Sequence, residues 1–345
     1  MAIPIENIYY LLCYAWDTLE EKEKVKVSVD DSPEILDLFT KVLINGTRIL
    51  LKRGIEKDYI TETTEMAGVK GKLELSPTLK SGIYFKQRTV CTHDEFSANI
   101  LSNQILLSTI YRILRTREVN AQLKSQIKSL VWLFAGIEPI DLSHRVFSSV
   151  RLHRNNRFYA FLLKVCRMIY ESTLPTEKPG QYHFVDFSHD RFKMQKLFEA
   201  FLRNFYRREF PHWKVRSEHL NWQFSVSDEA HRAYIPIMKT DISIVNEQGK
   251  TIIDAKYYQE SMATRYDSEK LHSTNLYQLF SYLMNQRSAD PASKRTRGML
   301  LYPKTGAELN LDYWYDEHLI QIKTVNLNQH WGLIEQRLKG IQNGK

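Results

Sequence analysis

The sequence predicts an α/β (α+β) protein of two domains: a mixed α+β domain over residues 1–174, and a second over 175–345 built on a central mixed sheet flanked by helices. Three observations carry this. The 345 residues exceed the commonest size of one domain, about 100–150 residues. Their 43% hydrophobic and 26% charged content suits a folded globular chain and excludes one that is mainly disordered. Beyond the loop "LPTEKPGQYHF", with Pro175, Pro179 and Gly180, helical and strand periods alternate, as they do in a sheet with helices on its faces.

The first domain reads in order. Residues 7–16, "NIYYLLCYAW", are too densely apolar for a single face and predict a buried helix or strand. An amphipathic helix follows over 33–51, with Ile35, Leu38, Phe39, Val42 and Leu43 at helical spacing and Ser32 before Pro33 as its cap. Glycine turns and short alternating runs over 55–91 predict a small β-structure. Helical periodicity resumes over 92–119, where Thr92 and Glu95 have the spacing of a capping box. Further helices are expected over 120–135, stopped by Gly136, and over 155–173. In the second domain the expected order is helix 188–210, strands 215–224, 238–245 and 251–257, helix 273–287, strands 298–302 and 319–325, and helix 329–340.

A net charge of +8 favours a polyanionic partner such as nucleic acid, and says nothing about fold. Cys13, Cys91 and Cys166 are far apart, odd in number and form no CxxC pair, which argues against a disulfide framework or a zinc site and for a reducing, cytoplasmic setting. The N-terminal apolar run lacks a preceding basic region and has Glu6, Asp17 and Glu20 around it, unlike a secretory signal. No apolar run reaches the roughly 18–20 residues that cross a bilayer, so no membrane association is expected.

The stretch "TDISIVNEQGKTIIDAKYY" sets Asp241, Asp254 and Lys256 inside two apolar strands, where charge is costly unless paired or metal-bound. With Asn246, Glu247, Gln248 and Gly249 as the turn, Val245 faces Lys250, and the same antiparallel register brings Asp241 opposite Asp254. Opposed residues share a sheet face with Cβ atoms about 5 Å apart, and Lys256 points the same way by the period of two. Two carboxylates that close repel, and one holds its proton unless a cation lies between them. Oxygen ligands without nearby Cys or His suit Mg²⁺, and the lysine is placed to orient a nucleophile and offset phosphate charge. That is the equipment of phosphodiester hydrolysis. The hairpin alone leaves a second reading open, in which Asp254 and Lys256 are an ion pair on an exposed strand and Asp241 caps its edge.

The next helix places Gln278 and Tyr282 four residues apart on one face, able to hold the lysine or a substrate phosphate by hydrogen bonds. In the helix before the sheet, Leu197, Phe198, Phe201, Leu202 and Phe205 form the core stripe. Glu199 beside it reads first as a solvated glutamate and second as a third acidic group. Arg203, Arg207 and Arg208 likewise read as a solvated face or as a phosphate-contacting edge.

The order helix, strand, strand with Asp, strand with DxK, helix with QxxxY resembles the RecB-like branch of the PD-(D/E)xK nuclease superfamily, with Thr240 in place of the leading proline. The whole chain resembles the McrC family, the nuclease subunits of McrBC restriction systems. The matching stretches are "NIYYLLCYAW", "GVKGKLELSPTL", "SNQILLSTI", "TDISI", "DAKYY" and "HSTNLYQLFSYL", which run in order through both halves. The resemblance implies Mg²⁺-dependent cleavage of double-stranded DNA carrying 5-methylcytosine, Asp241 and Asp254 as metal-binding carboxylates helped by the Ala255 carbonyl, Lys256 as catalytic lysine, and Gln278 and Tyr282 in the RecB-like motif. It also implies an N-terminal domain, 1–174, that docks into a hexameric McrB-like AAA+ GTPase and stimulates it, with methylated-base recognition left to that partner and room for McrC pairing with McrC in the cleavage complex. The chain has no GxxxxGK[ST] phosphate loop, so GTP chemistry falls to the partner. A reading from another class is a non-catalytic activator of an NTPase ring with a vestigial site.

Overall fold

The protein is described from a computed structural model, which covers residues 3–25, 34–152, 156–257, 263–265, 268–270, 272–286 and 296–342. It divides into two compact units, Met1–Glu23 with Asp186–Lys345, and Lys24–Val185. The division therefore differs from the expected 174/175 boundary in two ways: it comes later in the chain, and the first helix belongs with the C-terminal unit. The loop that looked like a linker is a hairpin, Thr173–Pro175 paired with Tyr182–Phe184, and Val185 N–H donates to Ser172 O at 2.8 Å. Proline and glycine here mark a tight turn inside a unit.

In the unit Lys24–Val185, the helices Ile35–Arg53, Leu101–Leu114 and Arg157–Glu171 bury their apolar faces. The first starts after Glu34, and the expected cap at Ser32 and Pro33 lies outside the described residues. A three-stranded antiparallel sheet is built from Asp58–Ala67, Arg88–Ser97 and Lys72–Leu73, with a helix, Leu75–Lys80, that the expected β-structure omitted. The capping box at Thr92 and Glu95 does not form. Both residues lie in strand Arg88–Ser97, and the helix begins at Leu101. Ten successive pairs run from Asp58↔Ser97 to Ala67↔Arg88; Thr92 is used across the sheet, its hydroxyl 2.8 Å from that of Thr63 and 3.0 Å from Glu74 Oε1. A long ladder outweighs one local cap. The expected helix over 120–135 ends at Lys128 and gives way to a 3₁₀ turn, Val131–Phe134.

The C-terminal unit starts with α1 (Ile5–Ala15) and α2 (Arg191–Glu209). Asp190 caps α2 by accepting from Phe192 N and Lys193 N, and Arg207 and Arg208 in its last turn suit the helix dipole. Its apolar stripe, with Phe198, Phe201, Leu202 and Phe205 fully buried, receives Tyr14 of α1 edge-on at 5.7 Å from Phe201. Asn204 donates to Tyr14 O and Ala15 O, 3.0 Å each, which gives carbonyls of the last turn of α1 a side-chain partner. Asn7, buried, donates to Leu327 O and Gln329 O at 2.8 Å. The first helix is thus tied to this unit at both ends.

The sheet contains β1 (Lys214–Arg216), β2 (Ile242–Asn246), β3 (Gly249–Ala255), β4 (Arg297–Pro303), β5 (Asn310–Tyr315) and β6 (His318–Val325), in the order β5-β6-β4-β3-β2-β1. β3, β4 and β6 are parallel neighbours, while β1, β2 and β5 pair antiparallel. The sheet is mixed and flanked by helices, as expected. The expected strand over 215–224 is reduced to β1 and a bridge of His219–Leu220 with Met238–Lys239, and β5 was not anticipated. Helices α3 (Ser273–Met284) and α4 (Trp331–Gln342) complete the unit. α3 packs close to β4 because residue 298 is glycine: a Cβ there would lie 2.8 Å from Leu283 Cδ1 and 3.1 Å from Leu279 Cγ.

Candidate active site

The β2–β3 hairpin turns through Glu247 and Gln248 into Gly249, whose φ of +113° is open to glycine at little cost. Its register pairs Val245 with Lys250 and Ile242 with Ile253, so the next position sets Asp241 against Asp254. Asp241 lies just outside the ladder. Its Oδ2 accepts the Ala255 N–H at 3.0 Å, so a side chain takes the place of a ladder partner and pins the carboxylate at the end of β3.

Asp254 is fully buried. Neither of its oxygens has a hydrogen-bond partner of good geometry; the Lys256 ammonium stands 3.0 Å from Oδ2 as an ion pair. Lys256 Nζ also donates to Gln278 Oε1 at 2.9 Å, Gln278 Nε2 donates to Tyr282 OH at 2.7 Å, and that hydroxyl donates to Lys239 O at 2.8 Å. The direction of the chain is forced: an ammonium only donates, so the amide must turn its oxygen to Lys256 and its NH₂ to the tyrosine. Burial raises the Tyr282 phenol to about 12, which keeps the proton it donates. The five residues read from the sequence, Asp241, Asp254, Lys256, Gln278 and Tyr282, are therefore brought together at the ends of β2 and β3 and on the facing side of α3.

Burial is the main force on the two acids. It raises Asp241 well above the usual carboxylate range, with the charges of Asp254 and Glu199 adding to it and Lys256 opposing. Asp254 is raised by the same cause, against the pull of Lys256. One ammonium does not balance a buried carboxylate, a half-buried one opposite and a third nearby, so the pair retains a proton until more positive charge arrives. That charge is what a divalent ion brings, and two carboxylates with a carbonyl suit Mg²⁺, which keeps water for its remaining positions.

Sequence reasoning missed Gln195 and ranked Glu199 as solvated. Gln195 Nε2 donates to Ala255 O at 2.7 Å and also to Glu199 Oε1, and its Oε1 accepts Tyr257 N–H at 2.6 Å. Glu199 is half-buried and acts electrostatically on both aspartates, so it belongs beside the site. The available signal was their spacing, four apart on one face of a helix that precedes the acidic strands. The Ala255 carbonyl retains a second lone pair beyond the one used by Gln195.

Residues 6–303 match the family described as McrBC 5-methylcytosine restriction system component. The chain is 32% identical over 339 residues to the type IV methyl-directed restriction enzyme EcoKMcrBC of Escherichia coli (strain K12), covering 98% of this chain and 97% of that one. In fold it is similar to a chain in a refined half-complex from a tetradecameric assembly of Thermococcus gammatolerans McrB AAA+ hexamers with bound McrC, with a TM-score of 0.60 and 17% identity over 99% of this chain and 76% of that one.

Proposed function

The chain belongs to the family of McrBC 5-methylcytosine restriction system components, and we propose that it is the DNA-cleaving subunit of such a system, hydrolysing phosphodiesters of 5-methylcytosine-containing duplex DNA with Mg²⁺. The observation that carries the reading is the Asp241–Asp254 pair, short of positive charge, whose buried member Asp254 is ion-paired to a lysine that a hydrogen-bonded chain holds in place.

Asp241, Asp254 and the Ala255 carbonyl would hold the metal, whose chemistry there is to neutralise charge on the phosphate and acidify water. The protein's own groups do the rest. The Ala255 N–H fixes the Asp241 carboxylate, and Gln195 fixes the carbonyl at the end of β3. Lys256, anchored between Asp254 and Gln278, orients the attacking water and offsets charge that develops on the phosphate oxygens. Gln278 and Tyr282 are positioning residues that act through Lys256.

The unit Lys24–Val185 is then the part that docks on a hexameric McrB-like AAA+ GTPase and stimulates it, the partner supplying GTP hydrolysis and recognition of the methylated base. Asp254→Ala, mixed with that partner, GTP, Mg²⁺ and methylated DNA, should lose cleavage and keep GTPase stimulation. Cleavage at the wild-type rate would overturn the assignment of the site; GTPase stimulation by a wild-type chain that never cuts would make it a ring activator.

A further inference from the structure

Helix α2 carries a second stripe, on the side away from its core residues. Phe192, Lys196, Glu199 and Arg203 follow one another at steps of four, three and four, which keeps them within about 60° of one direction around the helix. Glu199, in the middle of that stripe, acts on Asp241 and Asp254, and Gln195 at its margin bonds Ala255 O. The stripe therefore borders the route by which a phosphodiester reaches the acids.

Three features of the stripe are not accounted for by a cap or an ion pair. Phe192 is 81% exposed, although the helix start is already capped by Asp190. Among the described residues, Lys196 and Arg203 make no ion pair, and neither does the neighbouring Lys193. The unpaired positive charge runs past an acidic site that has to admit a polyanion. From Phe192 to Arg203 is about 16 Å of helix, close to five base steps of about 3.4 Å.

We propose that this outer stripe of α2 is the DNA track of the cleavage site, a reading that rests on the nuclease function proposed above. Lys196 and Arg203 hold phosphates of the strand to be cut, on either side of Glu199. Phe192 packs against a base step about 10 Å from Glu199 along the helix, near three base steps from the cut. An exposed aromatic ring flanked by cations can wedge at a duplex base step without reading its sequence. It fits a subunit whose partner reads the sequence.

The test uses the full chain in complex with its AAA+ partner and GTP, in an Asp254→Ala background so that DNA is bound and not cut. Affinity for a methylated duplex is measured by fluorescence anisotropy across a salt series, with 2-aminopurine placed in turn at steps flanking the cut. Adding Lys196→Ala and Arg203→Ala together should reduce the slope of log affinity against log salt by about 1.8, at about 0.9 for each phosphate no longer neutralised. Adding Phe192→Ala should leave the slope unchanged, weaken binding, and remove the 2-aminopurine signal near the third step, with Phe192→Tyr restoring it. Melting temperatures and GTPase stimulation should stay at the background values. An unchanged slope in the double variant, or an unchanged fluorescence signal in Phe192→Ala, overturns the track. So does loss of GTPase stimulation with DNA binding intact, which would assign the stripe to a protein partner. Cleavage by Asp254→Ala alone would overturn the nuclease reading instead, so the two failures are distinguishable.

Discussion

Replacing Asp241 by Asn should make the metal-free protein more stable, and increasingly so as the pH rises. Asn keeps an oxygen to accept the Ala255 N–H at the 3.0 Å position and removes a negative charge that faces Asp254 and Glu199. Because the folded state raises the Asp241 pKa, from the ordinary 3.8 to about 8, it binds more protons than the unfolded chain does across that window. Stability attributable to this proton is present below the unfolded pKa and is lost as pH rises through the folded one. Each tenfold gain in proton affinity is worth about 1.4 kcal/mol. Shared protonation with Asp254 and partial exposure reduce the total, so the variant should gain about 1–3 kcal/mol at pH 8 and little near pH 4. At about 2–4 °C per kcal/mol for a domain of this size, scanning calorimetry in EDTA from pH 4 to 8.5 resolves it. Mg²⁺ should recover wild-type stability at high pH and leave Asp241→Asn unmoved. A variant that melts below wild type in EDTA at pH 8, or a difference that does not grow with pH, refutes the picture of an acid pair short of positive charge.

Other perturbations probe the surroundings. Tyr282→Phe removes the donor to Lys239 O and the acceptor for Gln278; it should lower stability by about 1–2 kcal/mol and slow cleavage with the metal affinity measured by calorimetry unchanged. Gly298→Ala forces a Cβ to 2.8 Å from Leu283 and should cost about 1–3 kcal/mol in denaturant unfolding, with no change in GTPase stimulation. Asn7→Ala strands two carbonyls, Leu327 O and Gln329 O, and should destabilise the C-terminal unit by about 2 kcal/mol, seen as faster hydrogen exchange in α4.

The site was legible where it depended on local periodicity. A turn type and a period of two were enough to set Asp241 against Asp254, because register in a short hairpin follows from the turn. The QxxxY pair was legible for the same reason, one helical turn being a fixed distance. Gln195 and Glu199 were not, since their partners lie about forty to sixty residues on and only the packing of α2 on β3 brings them together. The first helix joined the wrong domain in the sequence reading because nothing in "NIYYLLCYAW" reveals that Asn7 bonds carbonyls more than 300 residues away. Thr92 and Glu95 misled in the opposite way, a sound local signal overridden by a ten-pair ladder.

Asp241 and Asp254 violate folding rules at the place where the proposed chemistry needs them. An apolar strand end would pack as well with Asn or Val at 241 and 254, and replacing buried ion pairs by apolar groups is commonly neutral or stabilising. Here the charges do not even cancel: a fully buried carboxylate without a hydrogen-bond donor of good geometry, a second one opposite and a third on α2 share one ammonium. Such an imbalance is tolerable only if something outside the chain completes it. At Asn7, Asn204 and Tyr282 the same unit pairs its polar side chains with carbonyl oxygens. The cost at the site has a definite sign, an excess of negative charge at a strand end bordered by an unpaired basic helix face, and the divalent ion and DNA proposed above are what would complete it.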